Sequence, residues 1–198
     1  MILKFQVIIM STPCLLIIDM QNDFICDDAP LPIPGAQNII PTVKSVLDIF
    51  RAHSLPIFHI QRIHRRDGSD VEISRRELFA TTPFAVEGTH GACVIDDLCP
   101  LPDEYIIRKT RMSAFIHTEL DLLLRSLAID TIYITGIQTP NCIRATAFDA
   151  FAYNYHTILI EDAITAKNED IHHANIIDMT AIGIRVLQYA DIMNELKN

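Results

Sequence analysis

Short apolar runs alternate along this chain with longer stretches in which apolar residues recur every three or four positions. The runs Cys14–Asp19, Pro56–Ile60, Glu104–Arg108, Thr131–Thr135, His156–Ile160 and Arg185–Tyr189 read as strands, bounded by turn residues. Ala36–His53 reads as a helix with Ile39, Ile40, Val43, Val46, Leu47 and Phe50 on one face. His117–Leu127 turns Leu120, Leu123, Leu124 and Leu127 inward, and Asn141–Tyr153 and Asp170–Ile184 complete the helices. Strand–helix alternation with continuously apolar strands predicts an α/β fold: a three-layer αβα sandwich around a mainly parallel, six-stranded Rossmann-like sheet. Right-handed crossovers bring the C-terminal ends of the strands to one edge, where open α/β sheets bind ligands. The strand-poor segment Gln61–Pro102, with Gly68, Pro83, Gly88 and Gly91, is expected to form a lid or cover beside that edge.

Composition narrows this picture. A length of 198 residues suits a single domain over 1–198. A hydrophobic content of 49% implies either a sheet covered on both faces or apolar surface buried between subunits. A net charge of −9 argues against nucleic acid as a partner. The five cysteines, Cys14, Cys26, Cys93, Cys99 and Cys142, are odd in number and form no C-x-x-C, so neither a disulfide framework nor a zinc site is expected, and a reducing cytoplasm is. Met1–Met10 is apolar but carries Lys4 and is followed by Pro13; it is too short to span a bilayer and reads as an N-terminal extension, such as a short extra strand. No membrane partner is expected.

Three reactive side chains fall at the binding edge: Asp19 at the end of the first strand, Lys109 at the end of the third, and Cys142 after the fourth, in the first turn of the next helix. Unpaired backbone N–H groups at a helix start favour a thiolate, so Cys142 is a candidate nucleophile; a buried structural cysteine is the alternative. A carboxylate at the end of an apolar run needs a partner, and Lys109 is placed to be one. Taken singly, Asp19 reads equally as a cap and Lys109 as a surface ion pair; taken together they read as a site.

The stretches Leu15–Phe24 (LLIIDMQNDF), Arg108–Phe115 (RKTRMSAF) and Thr135–Cys142 (TGIQTPNC) resemble the three signatures of the isochorismatase-like cysteine hydrolases, in order and across about Pro13 to Tyr189. The resemblance implies an Asp19–Lys109–Cys142 triad. Cys142 would attack a carbonyl carbon to form a thioester, Asp19 would carry the proton from the thiol to the leaving nitrogen, and Lys109 would stabilise the thiolate and lower its pKa. The backbone N–H groups of Gln138 and Cys142 are the candidate oxyanion hole. The resemblance also implies a cis peptide at Ile137–Gln138 and a homodimer or homotetramer, and it places Ile137 and Gln138 at the substrate.

The relatives that bind zinc or iron use an Asp-x-His pair after the second strand. His59-Ile60-Gln61-Arg62-Ile63-His64 contains none, so no metal and no cofactor is expected. Arg62, Arg65 and Arg66 offer donors for a substrate carboxylate, or are loop charges answering Asp67, Asp70 and Glu72. Arg144 is a further donor or a structural ion-pair partner. Phe24 and Phe115 wall the pocket or belong to the core. His172 and His173, adjacent on a helix, do not face one site and read as capping or surface residues. Ser113 lacks a nucleophile-elbow context and reads as a structural hydroxyl. The substrate implied is a small linear amide or ureide; nicotinamide deamidation, isochorismatase-type hydrolysis and a catalytically silent family member are the alternatives.

Overall fold

A computed structural model describes residues 12–196. The expected N-terminal extension lies outside the described residues. Strand β1 (Pro13–Ile18) is followed by the short helix α1 (Asn22–Ile25), then α2 (Ile40–Ala52), β2 (Ile57–Arg62), α3 (Arg76–Thr81) and β3 (Tyr105–Lys109). The second half runs α4 (Leu120–Ser126), β4 (Thr131–Ile137), α5 (Arg144–Ala152), β5 (His156–Thr165), α6 (Glu169–Ala181), β6 (Arg185–Leu187) and α7 (Tyr189–Glu195). The six strands form one parallel sheet in the order β3-β2-β1-β4-β5-β6.

Strand periodicity divides the apolar residues between two layers. Leu15 and Ile17 of β1, Tyr133 of β4 and Ile158 and Ile160 of β5 join one core, with Val43, Val46, Leu47 and Phe50 of α2 and Ile192 of α7. Leu16 and Ile18, Ile132 and Ile134, and Leu159 join the other, with Leu120 and Leu124 of α4, Ala147 and Ala150 of α5 and Met179 of α6. Burial on both faces is why these strands read as unbroken apolar runs. Among the described residues no helix is long and apolar enough to cross a membrane.

Several boundaries differ from the sequence expectation. The last strand stops at Leu187, because Gln188 and Asp191 form a capping box that starts α7, a helix with no strong periodic signal. β5 runs on to Thr165, past a register shift opposite Ile134–Gly136. The helix expected over Asn141–Tyr153 begins as a π turn, Thr139–Ile143, and becomes α-helical only at Arg144. On α5, Phe151 is exposed while Tyr155, just beyond it, is buried, so the apolar stripe only partly faces the sheet.

The expected cover over Gln61–Pro102 is an integral part of the first core. Val71, Phe79, Phe84, Ala85, Val86, Ile95 and Leu98 are all buried in it. Isolated bridges tie His64 to Val86 and Gln21 to Val94. At Gly91 an added Cβ would run into the Asp23 carboxylate and displace it from its bond with Ala85 N–H, so glycine there lets the segment close against α1 with that bond intact.

Candidate active site

The sheet order reverses direction between β1 and β4, and the crevice at their C-terminal ends is the usual ligand position in such a sheet. Asp19 follows β1 with φ 55°, and its N–H donates to Ile60 O at 2.9 Å. Gln21, fully buried, extends the β1–β2 join with its side chain. Its Nε2 donates to Arg62 O at 2.8 Å and to Ala92 O at 2.7 Å, and its Oε1 accepts from Arg62 N at 2.8 Å. One amide therefore fixes the end of β1, the end of β2 and the cover. Gly136, with φ 106°, brings β4 against β1: an added Cβ would stand 2.1 Å from Ile18 O.

The three residues singled out in the sequence meet. Lys109 Nζ donates to Asp19 Oδ2 at 2.8 Å and to Arg111 O at 3.2 Å, and lies 3.4 Å from Cys142 Sγ. All three are buried. Among the described residues, buried Asp19 Oδ1 has no hydrogen-bond partner, which leaves it free to accept a proton. Cys142 sits inside the π turn, where Ile143 N–H reaches back to Gln138 O and Arg144 N–H to Thr139 O. Single π turns inside helices recur at functional sites. The Ile137–Gln138 peptide entering this turn is cis.

The thiol's electrostatics differ from the sequence expectation. Burial first, and then the negative charge of Asp19, push the Cys142 thiol up; Lys109 and Arg62 pull it down less strongly. The thiol is thus favoured over the thiolate in the folded protein. A cation and a helix terminus alone would lower the pKa; desolvation and the adjacent carboxylate weigh more here.

A cleft partly open to solvent, with about 320 Å³ of free space when the part open to solvent is included, is lined by Asp19, Phe24, Ile33, Arg62, Arg75, Ile137, Gln138, Asn141 and Cys142. Phe24, Ile137 and Gln138, expected at the substrate, thus all line this cleft. Arg62 lines the cleft too, but as the buried end of β2. Its Nη1 donates to both Glu72 oxygens at 2.9 and 3.1 Å, and its Nη2 lies 3.8 Å from Cys142 Sγ. Burial opposes its charge, and the negative field of Cys142 once ionised, with that of Asp19 and Glu72, outweighs burial, so its pKa is raised.

Other candidates are placed elsewhere. Phe115 is not part of the cleft wall: its ring packs on Tyr153 and Tyr155, with centroids 5.3 and 6.1 Å away. Arg65 and Arg66 are exposed, with Arg65 3.5 Å from Asp67. Arg144 pairs with Asp178 and covers the Phe148 ring. Ser113 Oγ accepts from Phe115 N–H at 3.1 Å. His59 bonds Glu104 at 2.8 Å, and His64 stands edge-on to Phe79 and Phe84.

His172 is buried rather than superficial. Its Nδ1 is 2.9 Å from Thr139 Oγ1, so α6 braces the π turn. The sequence names Glu72 only as a loop charge answering the arginines and gives Gln21, Ile33, Arg75 and Asn141 no role. Gln21 and Asn141 carry no signal beyond their place inside a motif, and Ile33 carries none. Glu72 and Arg75 lie in a loop whose path no periodicity encodes.

Comparison with known proteins agrees with this geometry. The Isochorismatase domain profile matches residues 13–191. The chain is 41% identical, over 86% of its length and 89% of the relative's, to an Arabidopsis thaliana protein named probable inactive nicotinamidase. It is 29% identical to N-carbamoylsarcosine amidase of Arthrobacter sp, over 85% of this chain and 65% of that protein. A crystal structure of an isochorismatase family protein from Desulfovibrio vulgaris superposes with a TM-score of 0.92 at 41% identity, covering 96% of this chain and all of that one. A profile spanning nearly the whole chain, together with that structural likeness, establishes that the chain belongs to the isochorismatase-domain family of hydrolases.

Proposed function

We propose that the protein is a cysteine hydrolase that cleaves the C–N bond of a small linear amide or ureide through a thioester on Cys142. The observation that carries this reading is the position of Lys109 Nζ, between Asp19 Oδ2 at 2.8 Å and Cys142 Sγ at 3.4 Å. Asp19 takes the thiol proton at its unpartnered oxygen as the sulfur attacks the carbonyl carbon. Lys109 and Arg62 hold the negative charge that develops on sulfur. The backbone N–H groups of Cys142 and Gln138 receive the oxyanion. The same proton passes from Asp19 to the leaving nitrogen, which departs as ammonia or an amine. Water, deprotonated by Asp19, then adds to the thioester, and the tetrahedral adduct expels the sulfur, which recovers its proton from Asp19. The cleft's small volume suits a compact substrate, and the kinship with an amidase supports C–N cleavage.

The test is ammonia release from a panel of N-carbamoyl amino acids, ureidoacrylate, biuret and nicotinamide. Cys142→Ala should abolish turnover and Cys142→Ser should nearly do so, with folding retained; normal turnover in Cys142→Ala overturns the mechanism. A silent family member is the second reading, favoured by the name of the Arabidopsis relative. It predicts no turnover across the panel and no difference in alkylation rate between Cys142 and the other buried cysteine, Cys14.

A further inference from the structure

Among the described residues, the cationic side chains around the cleft all find hydrogen-bond partners except one. Lys109 is neutralised by Asp19, and Arg62 by both oxygens of Glu72. Arg111, near the same rim, spends its guanidinium on the carbonyls of Asp70 and Thr110. Arg75 lines the cleft and is half-buried, and among the described residues its side chain makes no hydrogen bond or ion pair. Glu72 feels its field, but that carboxylate is already bonded to Arg62. Moving the Cys142 proton to Asp19 leaves the local sum unchanged, so a surplus positive charge persists in a protein whose net charge is −9.

Arg75 is also held in place. It ends a single 3₁₀ turn, Ile73–Arg75, whose start is tied down by the Glu72–Arg62 pair. Its N–H donates to Glu72 O at 2.8 Å. Arg75 thus borders the cleft from a pinned backbone, and Phe24, Ile33 and Ile137 supply apolar lining to the same cleft. A half-buried, unpaired guanidinium on a fixed support is a ready partner for a planar anion, which it binds by two parallel hydrogen bonds.

We propose that Arg75 is the residue that selects the substrate, and that the amide or ureide accepted by this cleft carries a carboxylate. The inference rests on the reading of Cys142 as the reacting thiol and assigns the far end of the molecule that Cys142 attacks. Arg62, the guanidinium nearest the sulfur, is excluded from this role because its Nη1 is bonded to Glu72 and its Nη2 faces the thiol.

The test compares two alkylating probes of similar size, anionic iodoacetate and neutral iodoacetamide, on the intact protein at a fixed alkaline pH. Modification of the Cys142 peptide is followed by mass spectrometry. In the unaltered protein the iodoacetate-to-iodoacetamide rate ratio at Cys142 should exceed that at the exposed Cys93. Arg75→Gln should lower the Cys142 ratio about tenfold, as loss of a charge-assisted partner does, and Arg75→Lys should restore most of it. Using a ratio cancels any general change in thiol reactivity. A ratio unchanged in Arg75→Gln overturns the assignment while leaving the nucleophile reading intact. Failure of both probes to label Cys142 at all overturns the nucleophile reading and this inference with it.

Discussion

Arg62 and Lys109 are register partners at the ends of adjacent strands, and each brings a nitrogen toward the sulfur of Cys142, from 3.8 and 3.4 Å. Like charges directly opposite each other on neighbouring strands repel. Here Asp19 and Glu72 each neutralise one of them, and the pair can face the same sulfur. The arrangement favours the thiolate most at the moment Asp19 takes its proton, when the carboxylate's opposing charge disappears.

Removing one of the two cations should therefore make the sulfur harder to ionise. In Arg62→Met the thiol, already pushed up by burial and Asp19, loses one of its two downward influences. The pH profile of iodoacetamide alkylation at Cys142 should move to higher pH. Turnover should fall about 10²-fold, the order seen when one preorganised charge-stabilising group is lost. An alkylation profile that stays in place would show that Arg62 does not act on the sulfur.

The fold and the core of the site were legible in the sequence, for identifiable reasons. β1 is buried on both faces, so Leu15–Ile18 is an uninterrupted apolar run, and Asp19 is conspicuous as the first charge after it. Lys109 and Cys142 likewise follow apolar strands. What escaped is what depends on packing between distant segments. Phe115 is apolar and next to a motif, yet nothing in its neighbours distinguishes a pocket wall from a ring stacked on Tyr153 and Tyr155. The sequence presents Arg62, Arg65 and Arg66 as equivalent; strand β2 ends at Arg62 and buries it, while the other two reach solvent. Arg75 sits in a 3₁₀ turn anchored by the Glu72–Arg62 pair rather than by its own pattern.

The Asp19–Lys109 pair is structural as well as chemical. Lys109→Met would leave the Asp19 carboxylate buried with its near partner gone, and breaking a buried pair from one side costs about 3–5 kcal/mol. Chemical denaturation should show that loss. The double variant Lys109→Met/Asp19→Asn, with the buried charge also removed, should recover part of it. Equal stability of the single and double variants would mean that Asp19 is satisfied without Lys109.

Gly136 sets the distance between the two strands that carry Asp19 and Cys142. Its φ of 106° is one that side chains rarely adopt, and a Cβ there would stand 2.1 Å from Ile18 O and 2.8 Å from Ile18 N. The obstacle is backbone, so no rotamer change relieves it. Gly136→Ala should destabilise by more than about 4 kcal/mol or fail to accumulate as folded protein, whereas Gly88→Ala, where an added Cβ meets no atom within 4 Å, should cost far less. Thermal melts of the two variants side by side measure the contrast.

Away from the site, Glu104 joins α2, β2 and the approach to β3, and it should set part of the acid limit of stability. Burial opposes its ionisation, but hydrogen bonds from Arg51, from Leu101 N–H and from His59 outweigh it and hold the carboxyl at about 2, below its ordinary 4.5. Burial keeps His59 neutral, so its Nε2–H acts as a hydrogen-bond donor and Arg51 is the charged partner. A folded state that binds this proton less tightly than the unfolded chain gains stability that is fully present above about 4.5. That gain disappears as the pH falls from there through about 2. Denaturant midpoints measured across an acid pH series should decline over that window in the unaltered protein. In Glu104→Gln they should start lower at neutral pH and decline less steeply, because the group that takes up the proton on unfolding is absent. Parallel curves for the two proteins would show that Glu104 is as easily protonated when folded as when unfolded.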